Sequence, residues 1–473
     1  MKHYPLFTAL VATLVVLSVI APSGYAAGLD PVKAFPGAMG FGTDTPGGRG
    51  GKVIYVTNLS DSGTGSLRAA LSDPSPRTVL FRVSGTITLN SDIVVKKPYL
   101  TIAGQTAPGE GVQIRGAKIK IATHDVLIRY LKMRTGDTKN NSNLAERDSV
   151  TLNHDVNAYN IVVDHSTLIW GPDIGGISFL SGTHDATVSN SILGEGLYIS
   201  NHPEATPDET GHSMTMNITQ MSTSYYPTRI SIHHNLLTTS ADRNPRVMGG
   251  ENIDVVNNVI YNWRNDASQG NPLKLNLVKN FYIRGPMTTK SSGWVAWKPR
   301  AESGGILRPG SVFESENLTE GFTTVRGGSS SVYANALFTP YSIAEEDSPQ
   351  DAYTKIVNDA GANRQVSGAD GTIAVIRDSV DQRIIDNLLT RQGTFLNGVD
   401  ADGVDGFPAI SWPSLAAGTP ATDDDHDGLP DAWEQRYFGS TSRGSPIDSK
   451  GDFDSDGYTD LEEFLNETDP TAP

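Results

Sequence analysis

Two stretches near the end of the chain carry carboxylates at a spacing that suits a hard cation. Asp423, Asp425, Asp427, Gly428, Asp431 and Glu434 fall at positions 1, 3, 5, 6, 9 and 12 of one loop, and Asp452, Asp454, Asp456, Gly457, Asp460 and Glu463 repeat the set. Calcium takes roughly six to eight hard oxygens, needs a glycine where the loop turns sharply, and prefers a bidentate glutamate at its end. A merely acidic, solvated tail would not place glycine and glutamate at the same offsets twice. The spacing therefore predicts two Ca2+ sites. A second constellation is Arg243-Asn244-Pro245-Arg246, which sets two guanidinium forks close together. Such forks grip carboxylates in a bidentate way. The bland alternative is a surface pair bound to Asp242 or Asp254.

The elements that must position these groups show in a repeat. Ile128-Arg129-Tyr130-Leu131, Val163-Asp164-His165-Ser166, Val188-Ser189-Asn190-Ser191, Ile232-His233-His234-Asn235, Val255-Val256-Asn257-Asn258 and Leu277-Val278-Lys279-Asn280 share one pattern, and their first residues stand 35, 25, 44, 23 and 22 positions apart. A period in the low twenties, stretched by insertions, marks a solenoid. Stacked units share one long core, and inserted loops gather on one side as a binding surface. Coils are expected from about residue 102 to 283, weakening beyond Pro286, with 329–334 as a further coil. Residues 53–56 and 79–83 read as strands. Residues 66–71 read as a helix capping the open end, and 379–391 as a helix packed on the outside, since Val380, Ile384, Ile385, Leu388 and Leu389 follow helical spacing. The insertions at 134–155 and 194–228 are long enough to be functional, and they make His212 and Ser213 candidates to face a substrate. His165, His233 and His234 sit in the repeated columns and read as structural. Asn235, Asn258 and Asn280 are expected to form an asparagine ladder. Trp170 and Trp263 read as packing residues.

Composition narrows the setting. Residues 1–26 read as a secretory signal: Lys2 and His3, an apolar run from Leu6 to Ile20, and a small-residue cleavage site at Gly24-Tyr25-Ala26. The apolar run is shorter than the roughly 20 residues a membrane span needs, and no other segment could cross. The chain has no cysteine, so an exported protein must take its stability from a stacked core and bound metal. From Thr422 onward there are 15 acidic and 3 basic residues, which leaves only −4 of the net −16 to the body. An acidic polymer is thus allowed as ligand, while the absence of a basic stripe gives nucleic-acid binding no support. The expected organisation is a signal peptide at 1–26, a solenoid at 27–412, a Pro/Ala/Gly/Thr linker at 413–422 and a calcium-binding tail at 423–473.

Several motifs then carry a resemblance. Lys33-Ala34-Phe35-Pro36-Gly37-Ala38, Gly47-Gly48-Arg49-Gly50-Gly51, Gly65-Ser66-Leu67-Arg68-Ala69-Ala70, Thr101-Ile102-Ala103-Gly104-Gln105-Thr106-Ala107-Pro108-Gly109, Val163-Asp164-His165-Ser166, Arg243-Asn244-Pro245-Arg246 and Asn257-Asn258-Val259-Ile260-Tyr261-Asn262-Trp263 stand in this order. Over residues 33–290, and more weakly to 395, the chain resembles bacterial pectate lyases of the polysaccharide lyase family 1 type. The tail resembles the EF-hand-like acidic modules that end many secreted bacterial proteins. The first resemblance implies an all-β fold, a right-handed single-stranded parallel β-helix, acting on polygalacturonate (pectin) as a secreted monomer. It implies Arg243 as the base, Arg246 as a substrate-carboxylate ligand and an alkaline optimum. It also implies Ca2+ at the groove, with Asp148 matching a ligand. At the two further ligand positions this chain has Ile174 and Ser178, so the adjacent Asp173 is the substitute, with Glu146 in reserve; Asp164 reads as structural. A second family arginine is replaced by Met248.

The chemistry asked of such a site follows from the substrate. Removing the C5 proton of a uronate anion builds a second negative charge beside the first. That requires a cation on the carboxylate and a positioned base; the oxygen at C4 then departs and leaves a 4,5-unsaturated end. Two other readings compete. A glycoside hydrolase on the same fold needs a close carboxylate pair, which the sequence does not reveal. A non-catalytic polysaccharide-binding β-helix has no need of the Arg243–Arg246 motif.

Overall fold

A computed structural model describes residues 32–152, 158–205, 211–222, 224–301, 305–443 and 448–473. The expected signal peptide lies outside them, as do parts of the 134–155 and 194–228 insertions. Each coil contributes one strand to each of three parallel sheets. The first sheet has ten strands, from Lys52–Val56 and Arg77–Phe81 through Tyr159–Asp164 to Val312–Ser315. The second runs over nine strands from Gly85–Thr88 to Leu318–Glu320, and the third over nine from Ile93–Val95 to Thr324–Arg326. This is the parallel β-helix.

The repeat noted in the sequence is the first sheet. Ile128, Val163, Val188, Ile232, Val255 and Leu277 pair in unbroken register across six coils. All are buried in one continuous core with the inward residues of the other sheets. Burying a side chain of this size stabilises by about 1.5–3 kcal/mol, which is how a chain without disulfides holds together. The next residue but one in each segment makes the corner. Tyr130, His165, Asn190, His234, Asn257 and Lys279 all have φ between 43° and 56°, single left-handed residues that bend the chain into the second sheet. The residue after the corner points inward. Asn235 Nδ2 donates to Asn258 Oδ1 at 3.0 Å, Asn258 to Asn280 at 2.9 Å and Asn280 to Asn317 at 2.9 Å. The asparagine ladder therefore exists and extends one coil further than expected; Ser191 joins its other end through its backbone N–H.

The helix α1 (Leu67–Ser72) caps the open end, with Ser66 as N-cap and Leu67, Ala70 and Leu71 buried. Buried Arg77 donates to the carbonyls of Ala70 and Leu71. A helix α2 (Pro349–Asp359) and α3 (Ser379–Thr390) pack outside the second sheet, where Val380, Ile384, Ile385 and Leu388 meet Ile169, Ile192, Leu236 and Val259. Trp170 and Trp263 are fully buried and donate to Glu195 and to the Gly293 carbonyl. His165 bonds Asp164 and Asp359, and His234 bonds Asp347, so these histidines lock corners as expected.

Two expectations need revision. The coils continue through Arg326; the pattern fades in the sequence because an insertion separates strands and the last coil exposes one face. Residues 329–334 form a 3-10 turn at Ser330–Val332 and a single bridge from Tyr333 to Val312, closing the stack instead of adding a coil. The stretch expected as a linker, 413–422, lies along the coils. Pro413, Ala416 and Ala421 offer carbonyls to Gln113, Glu110 and Arg82. The tail helices α4 (Asp431–Phe438) and α5 (Asp460–Asn466) follow, and the tail residues Leu429, Leu461, Phe464 and Leu465 are buried against Leu80 and Ala103 of the first sheet.

Candidate active site

The third sheet opens on the loops that carry the chemistry. Asp148 lies just before the strand Val150–Leu152. Asp173 lies before Ile177–Leu180, His212 before Met216–Thr219 and Arg243 before Arg246–Met248. These strands are successive neighbours in the sheet. Neighbouring strands lie about 4.8 Å apart, so residues far apart in sequence converge on one edge.

Asp148 is buried. Thr151 Oγ1 donates to its Oδ2 at 2.6 Å, while its Oδ1 is buried and has no hydrogen-bond partner among the described residues. Burial, with the charge of Asp173 added, pushes its carboxyl up to about 7; Lys118, Thr151 and Ser178 oppose this. The two carboxylates expected at the groove thus feel each other's charge across adjacent coils. A buried acceptor with no donor beside a second acid fits a cation better than it fits either acid alone. Ile174 and Ser178 are both buried and carry no carboxylate, so neither replaces a ligand. Glu146 is exposed, and its carbonyl accepts from Lys118.

Arg243 holds φ at 59°, a left-handed conformation for a non-glycine residue. Its N–H donates to Asp242 Oδ1 at 2.8 Å. Asn244, joined to Pro245 by a cis peptide, is buried and anchored by Thr215 at 2.5 Å. The left-handed backbone of Arg243 persists because surrounding contacts over-determine it, as they do at active sites. Burial lowers the Arg243 pKa and Arg246 lowers it further, against the pull of Asp173, Asp242 and Asp148. Both arginines line a cleft of about 460 Å³ with Met214, Asp242, Met248, Gln269 and Arg300. The cleft's charge is mainly cationic, which suits an anionic polymer.

His212 does not line that cleft. It is buried, and its Nε2 lies 3.2 Å from Asp173 Oδ1. The rings of His202 and His212 stack at 3.9 Å and 13°. The two histidines and Asp173 offer ligand atoms within 4.8 Å of one another. Rings stacked face to face keep their lone pairs in parallel planes and do not converge on one ion, so the pair props Asp173. His202, Lys118 and Arg300 were not legible as site residues, because only the fold brings them there.

In the tail, the loop glycines and aspartates come together. Gly428 and Gly457 take φ of 107° and 102°. Asp423, Asp425 and Asp427 gather ligand oxygens within 4.8 Å, as do Asp452, Asp454 and Asp456. Both oxygens of Glu434, Asp454 Oδ2 and Glu463 Oε2 are buried without a hydrogen-bond partner among the described residues. Burial, reinforced by neighbouring aspartates, pushes Glu434 and Glu463 up to about 8. This donor set fits a calcium ion in each loop. Asp431 and Asp460 instead accept from the N–H groups of Asp424 and Phe453 at 3.0 and 3.1 Å, which closes the loops.

No family model matches the chain. Probable pectate lyase C of Aspergillus flavus is 30% identical over 454 residues, spanning 93% of this chain and 94% of that protein. Its counterpart in Emericella nidulans is 30% identical over 459 residues, 92% of this chain and 93% of its own. That of Aspergillus fumigatus is 28% identical over 464 residues, 96% and 98%. Among solved structures, jun a 1, the major allergen from cedar pollen, superposes with a TM-score of 0.52 at 18% identity, covering 68% of this chain and 92% of its own, and shares the fold. No helix among the described residues is long and apolar enough to cross a membrane.

Proposed function

The chain belongs to the pectate lyase family, and from that premise we propose that it cleaves polygalacturonate by calcium-assisted β-elimination outside the cell, as a monomer exported by residues 1–26. The observation that carries this reading is the meeting of Arg243, its pKa lowered in the cleft, with the Asp148–Asp173 pair on the same sheet edge. Arg243, in its neutral form, takes the proton from C5 of a uronate residue. The electron pair forms the C4=C5 bond and the C4–O bond breaks. The oxygen leaves with the neighbouring sugar's C1 and gains a proton there, giving a new reducing end. Arg246 grips a substrate carboxylate with its fork. Asp148 and Asp173 would hold a calcium ion, which would neutralise the uronate carboxylate and so acidify C5–H. His212 orients Asp173 from behind; its role moves from substrate contact to support.

In the tail, Asp423, Asp425, Asp427 and Glu434 would hold one Ca2+, and Asp452, Asp454, Asp456 and Glu463 a second; Asp431 and Asp460 act through the loop backbone. Their role is structural, with calcium coupled to folding. Mass spectrometry of the products tests the proposal. Elimination gives one fragment lighter by a water than hydrolysis would give. Products of full hydrolytic mass would support a glycosidase acting through the Asp148–Asp173 pair, and an intact polymer would support a binding protein.

A further inference from the structure

Position 248 leaves a gap in the cationic lining of the cleft. Met248 is buried to within 7% and offers no charge. It pairs with Asn271 on the next coil. The chain then supplies a guanidinium one coil further on. Arg300 directly follows the strand Val295–Pro299, and its N–H donates to Gly270 O at 2.9 Å, which continues the sheet register. Its side chain is 58% exposed and lines the same cleft as Arg243 and Arg246.

Arg300 is also held. Its Nη1 donates to Asp266 Oδ2 at 3.2 Å and to Gln269 Oε1 at 3.1 Å. Asp266 is only 3% exposed and also binds Lys298, so it is a fixed anchor. Gln269 Nε2 donates to Asp242 Oδ1, the same oxygen that accepts from the Arg243 N–H. One polar chain thus runs from Arg300 to the backbone of Arg243. A pre-oriented arginine loses less freedom on gripping a carboxylate than a solvated one does. Arg246 pairs with Gln269, and Gln269 with Lys298. Arg300 therefore stands two coils from Arg246, about 9–10 Å along the axis. That reach extends beyond the sugar at Arg243 to a neighbouring one.

We propose that Arg300 is a specificity-determining residue that binds the carboxylate of a uronate residue flanking the one being cleaved, with Asp266 and Gln269 as its positioning residues. This rests on the reading of the cleft as a polygalacturonate site. The test compares Arg300→Ala, Arg300→Lys and Arg300→Gln with the parent on polygalacturonate, on highly methyl-esterified pectin and on short oligogalacturonates. In Arg300→Ala, KM on polygalacturonate is expected to rise about tenfold while kcat changes less than about threefold. Arg300→Lys recovers part of the loss, because it keeps the charge without the fork. The difference shrinks on esterified pectin, which lacks the carboxylates, and on oligomers too short to span both coils. An unchanged KM, or an equal loss on esterified and free substrate, would overturn the proposal.

Calorimetric binding of an oligogalacturonate separates the two ideas. If the parent binds but does not cleave, and Arg300→Ala binds about tenfold more weakly, the lyase reading falls and Arg300 stands. If the parent cleaves, and affinity and KM are the same in Arg300→Ala, Arg300 falls alone. If the parent neither binds nor cleaves, both fall.

Discussion

Stripping calcium from the tail should weaken the whole protein, and more so at high pH. Each loop gathers three aspartates around a buried glutamate. At a free concentration a hundredfold above Kd, a ligand that binds only the folded state adds about 2.7 kcal/mol, so two loops add about 5 kcal/mol. The tail is packed into the first sheet through Leu429, Leu461, Phe464 and Leu465, with Arg49 pairing with Glu462 at 2.8 Å, so its loss is felt by the coils. With an unfolding entropy of about 2.1 cal/mol/K per residue, the midpoint shifts by roughly 6 °C. The pH dependence follows from Glu434 and Glu463, pushed from 4.5 up to about 8 in the calcium-free protein. The folded state then holds protons that the unfolded chain has released, so calcium-free stability falls as pH rises from about 4.5 to about 8. Bound calcium cancels that loss. Thermal unfolding by circular dichroism, with calcium and with a chelator, at about pH 5 and about pH 8.5, measures it. Coincident curves at the higher pH would refute the assignment of the loops. So would a calcium effect larger at the lower pH.

Three further outcomes are expected. The rate of elimination should rise with pH by about one log unit per pH unit on its acid side, since the neutral Arg243 fraction grows as protons are removed; a profile flat from neutral to alkaline pH would contradict Arg243 as base. Asp148→Asn should raise the calcium concentration for half-maximal activity by about 10–100-fold, and His212→Phe by less, because His212 only orients Asp173; calcium titrations of initial rate read both. Asn258→Ala should destabilise by roughly 3 kcal/mol, because it deprives the buried Asn235 N–H and Ile232 carbonyl of their partners. Denaturant unfolding checks this, and the same change at Asn317, on the last coil, should cost less.

The parts of this molecule governed by local rules were legible in its sequence. The inward column from Ile128 to Leu277 and the asparagine ladder recur once per coil, so spacing alone reveals them. The tail loops need only fixed offsets within twelve-residue windows. The helix at 379–390 shows through its own periodicity. The site is different, because its residues meet through register. Asp148 and Asp173 come together only when Val150 pairs with Ile177. Arg300 reaches the cleft only because Gly270 pairs with Pro299. His212 misled for the same reason: a long insertion suggests a surface loop, yet this histidine folds back under Asp173. The last coil was missed because a terminal coil has a wet face and loses the alternation that marks the others.

Arg243 is proposed to abstract the proton in an elimination reaction. The measurement that tests it most directly is the ultraviolet absorbance of the unsaturated uronate product, followed with polygalacturonate at alkaline pH with calcium, for the parent and for Arg243→Ala. A steady rise is expected for the parent, abolished by a chelator, with a fall of at least about a hundredfold in kcat for the variant with its fold intact. A variant that retains the parent's rate, or a parent that releases reducing ends without absorbance, would contradict it.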